Sequence, residues 1–332
     1  NAEANGVMAL DLPDSRQTRF GGNIDLTALD RELDMNDVPF VLMTVTNNTG
    51  GGQPVSLTNL RDAAKLAEKH DTSLFIDACR FAENAWFIKK REYGCDRKSI
   101  KNIVHEMFSL CEGFTISLKK DGLANMGGAL VIKKDARILK RYPDLLEQLY
   151  DHQILTEGHS TYGGIDGANI MMAVEGLRHV VTDEYLNGRI AQVHDFGAYL
   201  AGLGVPVVEP FGGHAVYIDT NQFFADTDMK QEDFGGISLT ALLLLKGVRL
   251  CELGAFAHGK CNPDTGIETL HAPNYVRAAV PRNKYERDDL YYVADCISEL
   301  YKRRHELPKA IPVYGKEKAL RHFKARFELK YS

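Results

Sequence analysis

Residues 39–78 read PFVLMTVTNNTGGGQPVSLTNLRDAAKLAEKHDTSLFIDA, and the way this stretch divides decides the fold. Its first eight residues are a continuous apolar, β-branched run, followed by the breaker-rich loop NNTGGGQPVS. Positions 57–71 then set Leu57, Leu60, Ala64 and Ala67 on one face of a helix, with Ser56 as its N-cap. SLFIDA (73–78) is a short apolar run ending in a carboxylate. Farther out, 96–112 carries Ile100, Ile103, Val104, Met107 and Leu110 at helical spacing, and FTIS (114–117) is again strand-like. Strand–helix–strand–helix–strand with strands apolar throughout predicts an α/β fold around a largely parallel sheet covered on both faces.

The second half changes character. Two helical segments, 162–181 and 187–204, are joined by a short turn. VPVVEP, HAVYIDT, the helical ISLTALLLLKG, VRLCEL and YVRAAVPR follow, and then a long amphipathic helix with Leu290, Val293, Ala294, Ile297, Leu300 and Tyr301 on one face. This pattern predicts a large domain over 1–180 and a smaller C-terminal α+β domain over 181–332.

Bulk properties limit the function classes. The chain has 332 residues, 44% of them hydrophobic, and a formal charge of −5. The charge is mild and well mixed, which gives no footprint for nucleic acid or an anionic membrane. No apolar run reaches the length of a membrane span. Six cysteines, Cys79, Cys95, Cys111, Cys251, Cys261 and Cys296, lack any CxxC pair and read as reduced thiols of a cytoplasmic protein rather than a disulfide or zinc set. The opening NAEANGVMALDLP has no initiating Met and no signal layout, so it reads as the middle of a domain whose natural chain begins earlier.

In open α/β sheets ligands gather at the carboxyl ends of the strands. Those ends supply Asn48 with the turn Gly50-Gly51-Gly52-Gln53, then Asp77 with Arg80, then Ser117, Lys119 and Lys120. Pyridoxal phosphate needs such a set: a lysine for its aldehyde, a carboxylate for its ring nitrogen, a donor for its 3′ oxygen and hydroxyls for its phosphate. Asp77 suits the ring nitrogen, Asn48 and Arg80 the 3′ oxygen, and Ser117 the phosphate. Each feature also has a plainer reading. An Asp after a strand is commonly a helix cap, three glycines can simply make a turn, and a Lys-Lys pair is commonly solvated. From spacing alone both readings stand.

The motifs NNTGGGQPVSLTNL, IDACRFAENAWFIKKRE, SLKKDGLANMGG, HSTYGGIDG, VEPFGGHAVYID and LRHFKARFEL resemble the tryptophanase and tyrosine phenol-lyase family, the aromatic β-eliminating lyases, from GGNIDL at 21 to the C-terminus. The resemblance implies a fold-type I, aspartate aminotransferase-like architecture with pyridoxal 5′-phosphate held by Lys120 and Lys119 as electrostatic support. It implies a bidentate clamp from Arg277 on the substrate carboxylate, and a backbone carbonyl from Asn125 for potassium or another monovalent cation. It further implies homotetramers whose sites borrow residues from a neighbouring subunit. Phenol-lyase members carry an arginine where this chain has Leu253, and a phenylalanine where it has His322; both differences point to tryptophan, cleaved to indole, pyruvate and ammonia. The implied catalytic set is therefore Lys120, Asp77, Arg80 and His322, with Asn48, Leu253, His322 and Arg277 at the substrate. His214 reads as structural.

Tyrosine or an S-substituted cysteine on the same scaffold is the alternative substrate, and a non-catalytic scaffold that binds only cofactor or subunits is the alternative class. Leu118 replaces the family's usual small residue, and VRAAVPR its usual LRLTIPR. Nothing matches the family's N-terminal portion, with its further phosphate contacts and cation-binding carboxylate, so a chain standing alone is expected to be a weak catalyst or none.

Overall fold

The computed structural model describes residues 6–16, 19–159, 161–262, 264–270 and 273–331; Ser160 of the HSTYGGIDG motif lies outside them. Two compact units form, one from Asn1–Asn47 with Gln53–Gly188, the other from Asn48–Gly52 with Arg189–Ser332.

The first unit is built on β1 (Phe40–Thr44), β2 (Ser73–Asp77), β3 (Gly113–Ser117) and β4 (Gly128–Ile132), side by side in that order. β1, β2 and β3 run parallel, and β4 closes antiparallel on β3. Helices α1 (Leu26–Met35), α2 (Leu57–Lys69), α3 (Phe81–Arg91) and α4 (Ile100–Ser109) surround the sheet sequence. The starts of α1, α2 and α4 follow from capping chemistry: the Asp25 carboxylate accepts from Thr27 N and Ala28 N, Ser56 Oγ from Asn59 N, and Ser99 Oγ from Asn102 N. The Ser99 cap explains why the helix expected over 96–112 begins at Ile100. Val41, Met43, Leu57, Leu60, Leu74, Ile76, Ile88, Ile103 and Met107 form the core.

The sheet is not covered on both faces along its whole width, as the apolar strands predicted. Phe40 and Leu42 of β1 are 43% and 48% exposed, and Leu130 and Val131 of β4 are 48% and 41% exposed. These are the two edge strands; β2, flanked on both sides, is buried at four of its five positions. A run that is apolar throughout predicts burial on both faces only where elements cover both.

The second unit carries an antiparallel sheet of Ala215–Asp219, Tyr275–Ala279 and Cys251–Leu253, with Tyr275–Ala279 in the centre. Helices Gly235–Leu245 and Arg287–Lys302 contribute Leu239, Leu243, Leu290 and Ile297 to a core with Val216, Ile218 and Val276. VPVVEP makes no strand, only a bridge from Val207 to Ile218, because Pro206 and Pro210 remove two ladder donors. Register pairs Tyr217 and Cys251 with Arg277, and Leu253 with Tyr275, so these five side chains share one face.

Candidate functional site

In the first unit, strand pairing brings the ends of β2 and β3 together. Asp77 opposes Thr115 in register, and Asp77 Oδ1 accepts from Cys79 N at 3.2 Å. Ser117 N donates to Cys79 Sγ at 3.2 Å. The Cys79 thiol is pushed up, first by burial and then by its bond to Asp77, while the Ser117 N–H and the Lys120 charge oppose the shift. Asp77, Cys79, Ser117 and Lys120 are thus neighbours. Arg80, 8% exposed, occupies the N-cap of α3 and gives no side-chain cap.

The lysine pair lies on a tight turn. Lys120 N donates to Ser117 O at 3.2 Å, Leu123 N returns to Lys120 O at 3.0 Å, and Ala124 N to Leu118 O at 3.0 Å. Gly122 is required here, since a Cβ would press on the Leu118 carbonyl at 2.6 Å. Asp121, 1% exposed, sends its Oδ2 to Ala82 N at 2.8 Å and pins the turn to the first turn of α3. Lys119 is exposed and Lys120 half-buried. Both amines and the Ser117 hydroxyl make no hydrogen bond or ion pair among the described residues. Asn125 is exposed; its N–H donates to Asn169 Oδ1 at 3.2 Å, and its side chain reaches Met172 Sδ at 3.9 Å. Among the described residues no cluster of His, Cys, Asp and Glu could hold a metal ion.

In the second unit, Asn48 Oδ1 is the hub. It accepts from Arg277 Nη1 at 2.8 Å and from Tyr217 Oη at 3.0 Å, and lies 3.0 Å from His214 Nε2. Arg277 keeps its Nε–H buried and without a hydrogen-bond partner. That leaves a donor edge of a guanidinium open for a planar acid. Leu253 is half-buried on the same sheet face. His322 lies in the short helix Arg321–Lys324, with Nε2 3.8 Å from Cys251 Sγ. Burial lowers the His322 pKa, and the charges of His258 and Arg277 add to this. Glu252, bonded from Phe256 N and Ala257 N at 3.0 Å each, is pushed up to about 7 by burial.

The sequence placed Asn48, Asp77, Arg80, Ser117, Lys119 and Lys120 around one cofactor, and Asn48, Leu253, Arg277 and His322 at the substrate; within the first unit the structure brings Asp77, Ser117 and Lys120 together around Cys79, and within the second it bonds Asn48 to Arg277. His214, read as structural, is also hydrogen-bonded to the hub, at 4% exposure. Sequence reasoning missed Cys79, Asp121, Tyr217, Cys251 and Glu252. Asp121 directly follows Lys120, and Cys251 and Glu252 lie inside the motif LCELG, so adjacency was the available signal.

The family model described as Beta-eliminating lyase matches residues 1–296. The tryptophanase of Hyphomonas neptunium is 42% identical over 337 residues, covering 99% of this chain and 71% of that protein. The tryptophanase of Salinibacter ruber is 42% identical, covering 99% of this chain and 69% of that protein. The tyrosine phenol-lyase of Lacrimispora saccharolytica is 39% identical, covering 94% of this chain and 65% of that protein. The open amines of Lys119 and Lys120, the open Ser117 hydroxyl and the Asp77 carboxylate form a donor and acceptor set that suits an aldehyde-bearing, phosphorylated, ring-nitrogen cofactor. The chain belongs to the β-eliminating lyase family. It is accordingly a lyase of the pyridoxal-phosphate-dependent kind.

Proposed function

We propose that the chain cleaves L-tryptophan by β-elimination to indole, pyruvate and ammonia. The observation that supports this most is the face of the second unit on which Arg277 keeps a buried, unpartnered Nε–H while Leu253 offers only hydrocarbon. A guanidinium so disposed takes an α-carboxylate in a two-bond fork. A phenol oxygen beside Leu253 would lose its hydrogen bonds to water without replacement, whereas an indole ring gains apolar contact. The tryptophanases among the relatives favour the same substrate.

Pyridoxal phosphate, when bound, supplies a conjugated ring that takes up the electron pair left at the α-carbon. Lys120 would hold it covalently, Asp77 would keep its ring nitrogen protonated, Arg80 and Asn48 would address its 3′ oxygen, and Ser117 with Lys119 would meet its phosphate. Lys120 Nζ would take the proton from the α-carbon, and Arg277 would hold the carboxylate. His322 orients the side chain whose ring carbon must be protonated before it leaves. We assign the cofactor to a large domain over residues 1–180, followed by a small C-terminal domain over 181–332. We further propose a potassium ion at the Asn125 carbonyl, a cytoplasmic location and a homotetramer.

The test loads the purified chain with pyridoxal phosphate and compares pyruvate release from L-tryptophan, L-tyrosine and an S-alkylcysteine. Tryptophan is expected to show the highest kcat/KM, and Lys120→Ala to abolish both release and the absorbance of bound cofactor. Faster turnover of either rival substrate overturns the substrate reading. Cofactor absorbance with no pyruvate from any of the three identifies a non-catalytic scaffold.

A further inference from the structure

The sheet face that carries Arg277 also holds a thiol–imidazole pair. Cys251 Sγ lies 3.8 Å from His322 Nε2 and 3.5 Å from the Glu252 main-chain oxygen, so its one proton has two acceptors within reach, of which the imidazole nitrogen is the more basic. On the other side of the ring, Nδ1 is buried and makes no hydrogen bond, and stands 3.8 Å from Glu252 Oε2. The titratable and charged groups around this imidazole come from three elements. Cys251 and Glu252 lie on the strand Cys251–Leu253, His258 on the helix Ala255–His258, and Arg277 on the strand Tyr275–Ala279.

We propose that Cys251 is a positioning residue that fixes His322 as a neutral imidazole with its ring proton on Nδ1. A thiol that donates to Nε2 occupies that nitrogen's lone pair, so the single ring proton of the neutral form must sit on Nδ1. There it faces the Glu252 carboxyl, whose Oε2 lies 3.8 Å away. The competing arrangement, a thiolate beside an imidazolium, sets a second positive charge beside the fixed charge of Arg277. Burial opposes it as well, since it pushes the Cys251 thiol up and the imidazole down. Resting on the function proposed above, the consequence is a division of labour on one face. Arg277 remains the cation that holds the carboxylate, and the departing ring meets an uncharged imidazole of fixed orientation.

The test needs no turnover. The full chain, loaded with pyridoxal phosphate and labelled with 15N-histidine, is examined by long-range 1H–15N correlation across pH, with His322→Gln to assign the signal. The expected result is the Nδ1–H form of His322 at pH 7, titrating below 6.5. Cys251→Ala should move the ring toward a mixture of tautomers, while Cys251→Ser, which keeps a donor, should hold the Nδ1–H form. Cys251→Asp, which replaces the donor with an acceptor, should raise the proton affinity of His322 at least about tenfold. A wild-type His322 with its proton on Nε2, or one charged at pH 7, overturns the proposal without reference to any variant. So does an unchanged tautomer in Cys251→Ala. Failure of the tryptophan reading leaves these signals untouched, and the two results are therefore separable.

Discussion

Replacing Asp121 should weaken the first unit by an amount that its geometry sets. Helix α3 begins at Phe81 with Arg80 in the N-cap position and no cap from that side chain. Its buried Ala82 N–H is satisfied instead by Asp121 Oδ2 at 2.8 Å, from a residue 39 positions away. Asp121→Ala removes a charge-assisted bond, takes a negative charge from the positive end of the helix, and strands a buried donor. Hydrogen bonds to charged groups contribute about 1.5–3 kcal/mol, and the lost favourable placement at the helix start belongs to the same range. A net loss of about 2 kcal/mol is a roughly thirtyfold shift toward the unfolded form. In urea, with a slope of about 2 kcal/mol per molar, the midpoint should fall by about 1 M. Asp121→Asn keeps an oxygen acceptor and should lose about half as much.

The readout is built in, because Trp86 is the chain's single tryptophan and lies within α3. Its fluorescence through a urea titration follows the helix that Asp121 caps. If Asp121→Ala leaves the midpoint within about 0.2 M of the parent, or if Asp121→Asn is the more damaging of the two, the capping argument is wrong.

Glu252 makes stability depend on pH. Its folded pKa, raised from 4.5 to about 7, means its contribution is present below pH 4.5 and is lost as pH rises through about 7, by up to about 3 kcal/mol. Glu252→Gln should flatten the difference in urea midpoint between pH 5 and pH 8; an undiminished slope would refute this. Arg321 is paired with Glu268 at 2.9 Å, both nearly buried, and also donates to Phe256 O at 2.8 Å. Arg321→Met leaves an uncompensated buried carboxylate and should cost about 3 kcal/mol, with Lys316 at 3.7 Å limiting the loss; a thermal scan showing less than about 1 kcal/mol would count against it. Gly176, in the helix Gly167–His179, approaches the Gly122 carbonyl so closely that a Cβ would overlap it. Gly176→Ala should therefore disturb the turn that carries Lys120, costing about 1–3 kcal/mol and reducing cofactor loading; unchanged loading and stability would contradict the packing argument.

Period and punctuation in the chain determined the local elements. The apolar runs at 40–44, 73–77 and 113–117 became the parallel strands, and Ser56 and Ser99 opened their helices as capping chemistry requires. The strand-end rule singled out Asn48, Asp77, Arg80, Ser117, Lys119 and Lys120, and only the family resemblance preferred Lys120 to Lys119. Only tertiary structure decided the rest. Asn48 receives Arg277 across 229 residues, and Cys251 meets His322 across 71. Asp121, next to the lysine pair in sequence, turned out to serve another helix. Edge strand β1 kept one face exposed and edge strand β4 is exposed at four of its five residues, although their sequences are as apolar as that of β2. Helix and strand signals are written in the spacing of near neighbours. Which distant side chain fills a given hydrogen bond is set by sheet register and by how the elements pack, and no local period carries that information.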